Sequence, residues 1–77
     1  MNKKREYKVE AFIKTEQNPA YTWILSACGA SYAEMQAVEI LSGMTHREIT
    51  GANYDKPIGY DMAMRMFRIK VRVNKAA

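Results

Sequence analysis

The chain has 77 residues, 48% of them hydrophobic and 26% charged, and its 12 Lys+Arg against 8 Asp+Glu give a formal net charge of +4. That length allows one domain, and a domain this small buries only about 60% of its unfolded surface, leaving little interior for an enclosed active site beside the core. The composition is that of a folded globule rather than a disordered chain, and no stretch approaches the ~20 apolar residues of a membrane span.

Residues 1–5 read as a flexible basic tail, Met1-Asn2-Lys3-Lys4-Arg5, and 6–77 as a single domain. From Tyr7 to Lys14 the residues alternate, with Tyr7, Val9, Ala11 and Ile13 on one side and Lys8, Glu10, Phe12 and Lys14 on the other. A period of two predicts a half-buried strand. Glu16-Gln17-Asn18-Pro19 is turn chemistry, and Tyr21 to Cys28 follows as a second strand of aromatic and β-branched residues. The two should pair as an antiparallel hairpin. Both faces of the second strand look apolar, which suggests a central strand or one covered on both sides.

Gly29-Ala30 breaks that strand, and Ser31 with Glu34 has the spacing of a capping box. The helix it predicts runs from about Tyr32 to Ser42. Ala33, Ala37, Ile40, Leu41 and Met44 form its apolar stripe, Val38 widens it, and Gly43 stands where a left-handed stop would sit. Thr45 to Tyr54 reads either as a second capping box opening a helical turn or, over Arg47 to Tyr54, as a strand with Ile49 buried; a short strand or extended segment after a turn is expected. Asp55-Lys56-Pro57-Ile58-Gly59 is a loop. Met62 to Val73 alternates throughout, with Phe67, Ile69, Val71 and Val73 opposite Arg68, Lys70 and Arg72, and predicts the last strand. The expected fold class is therefore α+β, an antiparallel sheet of three to four strands with one helix on one face, in ββαβ or ββαββ order. Its other face is left open or covered by a partner.

Function is sought on that open face. The sequence pI near 9.4 favours polyanionic partners, nucleic acid or an acidic protein surface. Arg68, Lys70 and Arg72 form a ladder in which same-face side chains repeat every ~6.6–6.8 Å, commensurate with the charge spacing of a polynucleotide strand. If the first strand pairs with the last, Lys8 and Lys14 join the ladder, and Phe12 lies among them as a candidate for stacking a base. The simpler reading of the same pattern is a solvated face whose cations blunt an edge. A second constellation is Met64 and Met66 with Tyr21 and Trp23, expected to build an interface for a homodimer or a protein-binding module such as a small inhibitor or adaptor.

Cys28 is the single cysteine, so no internal disulfide or cysteine zinc site can form, and the chain fits a reducing compartment. Closing an apolar strand, it is expected to be buried and inert. His46 is the lone histidine, and no metalloprotease, nucleophile-elbow, phosphate-loop or dinucleotide motif is present. No enzyme, metal or cofactor is expected. The charged start is followed by Glu6-Tyr7-Lys8-Val9-Glu10 instead of an apolar run, so no signal peptide is read and a soluble, cytoplasmic protein is expected.

Overall fold

In a computed structural model that describes residues 3–75, the first alternating segment is β1, Arg5–Ile13, and the second is β2, Tyr21–Ala27. Three helices follow: α1 over Ala30–Ser42, α2 over His46–Thr50 and α3 over Gly59–Met66. The chain closes with β3, Phe67–Val73. The sheet order is β2-β1-β3, with both pairs antiparallel. This is the expected small α+β domain with a three-stranded sheet, but three helical segments rather than one lie on the covered face. The terminal residues of the expected tail, Met1 and Asn2, lie outside the described residues; Arg5 already belongs to β1, opposite Ala27.

Periodicity decides which side chains are sealed. Val9 pairs with Trp23 on one flank and Val71 on the other, and Ala11 pairs with Tyr21 and Ile69. These odd-numbered residues face the helices. The core has two lobes. Tyr7, Val9 and Ala27 pack with Ala33 and Ala37 of α1, while Ala11 and Phe67 pack with Leu41, Ile58 and Ala63. Ala33 and Ala37 are fully buried, and their small side chains let α1 lie close against the sheet. Tyr21 stacks on Trp23 with ring centroids 5.9 Å apart and tilts against Phe67 at 6.0 Å, so the aromatic residues of β2 form a wall of the core.

Several local expectations are corrected. The helix begins at Ala30 with Gly29 at its N-cap and no side-chain cap, so the Ser31–Glu34 capping box does not form. Gly43 ends α1 in the right-handed region with φ −84°; its N–H reaches Glu39 O and Ile40 O without a left-handed turn. Ile40 is an exposed residue rather than part of the buried stripe. The second capping box is the one realised: Glu48 N donates to Thr45 Oγ1 at 3.2 Å and Thr45 N to Glu48 Oε1 at 3.1 Å. It opens α2 where a strand was expected, and Gly51, with φ 77°, supplies the left-handed stop. Met44 to Ile58 is closed on itself by Ile58 N to Met44 O at 2.9 Å and His46 N to Lys56 O at 3.1 Å. Met62, Met64 and Met66 belong to α3, so the last strand starts at Phe67 rather than Met62. Finally, β2 is an edge strand and β1 the central one.

Candidate nucleic-acid interface

The register of β1 with β3 assembles the open face. Lys8 lies opposite Arg72, Glu10 opposite Lys70 and Phe12 opposite Arg68. On the other flank of β1, Ile24 is opposite Lys8 and Thr22 opposite Glu10. The even-numbered residues of all three strands therefore share the face that no helix covers. Four cations occupy it: Lys8 from the central strand, and Arg68, Lys70 and Arg72 from β3; Lys14 lies one residue past β1, in the turn. Glu6 and Glu10 are the carboxylates of the same face. Among the described residues the one ion pair is Arg47 to Asp55 at 2.8 Å, far from this surface in the α2 loop. These four cations are thus held on one surface by strand pairing, with no carboxylate within ion-pair distance. Lys8 directly opposite Arg72 is a like-charge pair that costs folding energy, and an anion laid across it recovers that cost.

Phe12 differs from the sequence expectation. The residue is only 6% exposed, and the Arg68 guanidinium sits over its ring at 4.5 Å from the centroid. Arg68 Nη2 also donates to Glu16 O at 3.1 Å. The ring has no free face for a base. It acts instead as a platform under Arg68, whose guanidinium can stack a base or bind phosphate in a forked geometry.

Next to Lys8 and Arg72 lies an open depression of about 570 Å³, completed by Val73, Asn74 and Lys75. Asn74 N donates to Glu6 O at 2.9 Å, continuing the ladder past β3. Asn74 Nδ2 lies 3.4 Å from Glu6 Oε1. Lys75 was not singled out from the sequence, since it follows the alternating run and lies two residues past β3.

The expected interface residues do not share an exposed surface: Tyr21, Trp23 and Met66 all pack against the second lobe of the core. Met64 alone is largely exposed, at 63%. It lines a groove of about 340 Å³ between α1 and α3 with Met35, Val38 and Tyr60, rimmed by Glu34 and Glu39. Met35 and Tyr60 are residues the sequence reading missed; the α1 face opposite its buried alanines was the available clue. Cys28 is exposed, against the expected buried thiol, because it lies one residue past β2. His46 packs against Tyr54 with ring centroids 4.8 Å apart. Among the described residues no three His, Cys, Asp or Glu side chains are grouped for a metal ion, and no helix is long and apolar enough to cross a membrane.

Comparison of the chain with protein-family models, with curated protein sequences and with solved structures finds no match.

Proposed function

We propose that this chain is a small non-enzymatic protein that binds nucleic acid across the open face of its sheet. Lys8, Lys14, Arg68, Lys70 and Arg72 contact phosphates, and Arg68, held over Phe12, supplies a stacking or forked contact. The observation that carries this reading is the β1–β3 register, which gathers four cations without an ion-pair partner on one uncovered surface. Such a face gives backbone-directed, salt-sensitive binding with little base discrimination. The experiment is fluorescence anisotropy with labelled single-stranded DNA and RNA oligonucleotides at low salt. Wild-type protein should bind, and Arg68→Glu/Lys70→Glu/Arg72→Glu should lose about a hundredfold or more in affinity. Equal affinity of the two proteins overturns the proposal.

A second reading is a protein-binding module, and the α1–α3 groove favours it. Met35 and Met64 are both more than 60% exposed there, and flexible thioether side chains suit an adaptable contact. On that reading Met64→Asp abolishes partner binding and the charge reversals on β3 leave it intact.

A further inference from the structure

The two edges of the sheet are built differently. Asn74 N donates to Glu6 O, and Lys14 N to Met66 O at 3.1 Å. In an antiparallel ladder successive residues turn their N–H and C=O to alternate sides. The even-numbered residues of β1 thus engage β3, and its odd-numbered residues engage β2. On β2, Tyr21, Trp23 and Leu25 face β1 across the register. That leaves Thr22, Ile24 and Ser26 with backbone groups directed at the free edge. Ser26 O accepts from Gln36 Nε2 at 3.1 Å and keeps its second lone pair. β2 reads YTWILSA, with no charge and no proline, and Ile24 at its centre is 51% exposed. The β3 edge carries Arg68, Lys70 and Arg72, the usual defence against pairing; β2 carries none.

We infer that the β2 edge is an interface for a second copy of this chain, paired antiparallel about Ile24 into one continuous six-stranded sheet. The centred register is self-complementary. Ile24 lies opposite its counterpart, and Thr22 lies opposite Ser26 of the other copy, so each outward N–H of these residues meets a carbonyl. On the helix side the same register sets Trp23 against Leu25. Charge also selects this edge. Pairing through β3 would bring three cations of each copy within ~5 Å of the other three, the inter-strand spacing. Pairing through β2 leaves the two β3 strands five spacings apart, ~24 Å, beyond the ~8–10 Å Debye length of physiological salt. The inference goes beyond the nucleic-acid reading and does not depend on it.

The test is light scattering on the full chain, free of nucleic acid, at ~100 μM. Twice the 8.8 kDa chain mass is expected. The Ile24 N–H points away from β1, so Ile24→Pro removes no ladder bond within the chain and should give a monomer with unchanged far-UV circular dichroism. A cysteine pair decides the matter if that variant fails to fold. In a Cys28→Ser background, Ile24→Cys should cross-link to its counterpart on mild oxidation, because hydrogen-bonded partners have Cα atoms ~5.5 Å apart, within disulfide range. Thr22→Cys should not, because the register separates the two copies of residue 22 by four residues, ~13 Å. A wild-type monomer, a dimer that persists in folded Ile24→Pro, or equal cross-linking at 22 and 24 overturns the inference. A dimer lost in Met64→Asp instead does the same, and moves the contact to the α1–α3 groove.

Discussion

The two faces of the sheet are made by the same three strands, one residue out of phase, and they have opposite chemistry. On the covered face Val9 and Ala11 are fully buried, and the helices supply Ala33, Ala37 and Leu41 to meet them. On the open face Lys8, Glu10 and Phe12 of β1 stand beside Arg72, Lys70 and Arg68 of β3. Stability therefore resides in one set of alternate residues and the proposed binding in the other. A strand can serve both because its side-chain period of two keeps them physically separate.

Substitutions can break that separation or sharpen it. The largest effect is expected on the covered side: Leu41→Ala should cost ~2–5 kcal/mol in chemical denaturation, because Leu41 is fully buried between α1 and the sheet. The Kd for an oligonucleotide, measured below the unfolding transition, should stay the same. On the open side, the triple Glu variant of β3 should lose about a hundredfold in affinity, equivalent to ~2.7 kcal/mol. Its folding stability should fall slightly, because Glu at position 70 would face Glu10 and the Arg68 contact with Phe12 would be lost. Thr45→Ala removes the hydroxyl that caps α2 and should cost about 1 kcal/mol of stability with no change in binding. Arg68→Lys keeps the charge but loses the guanidinium that sits over Phe12. It should weaken binding several-fold, ~1 kcal/mol, and change stability less. The smallest effect is expected for Met64→Asp, which on this account shifts stability by no more than ~0.5 kcal/mol and leaves oligonucleotide affinity unchanged.

The faces of the sheet were legible in the sequence because alternation reports burial directly. Tyr7, Val9 and Ala11, with Phe67, were assigned to the covered side and Arg68, Lys70 and Arg72 to the open side, as the structure has them. Other features were not, for particular reasons. Met62-Ala63-Met64-Arg65-Met66 alternates in polarity and so mimics a strand. Yet Ile58, Met62 and Met66 also recur at intervals of four, and all three pack into the same lobe of the core. Composition separates the alternatives: residues 59–66 contain no β-branched side chain, while Ile69, Val71 and Val73 fill β3. At Thr45 a correct cap signal competed with the β-branched Ile49 and Thr50, and the fully formed capping box won. For Phe12, its side of the strand was legible but not its cover, since the guanidinium that shields it comes from a residue 56 positions later, brought alongside only by the β1–β3 register.

The central claim is that the cations of the open face meet phosphates, and the slope of log Kobs against log salt tests it most directly. For a single-stranded oligonucleotide each phosphate contact contributes about 0.7 to that slope. Replacing Arg68, Lys70 and Arg72 with alanine should therefore reduce its magnitude by about two relative to wild type. A slope that is the same for both proteins, or a wild-type affinity insensitive to salt, would contradict the account and transfer the search to the groove between α1 and α3.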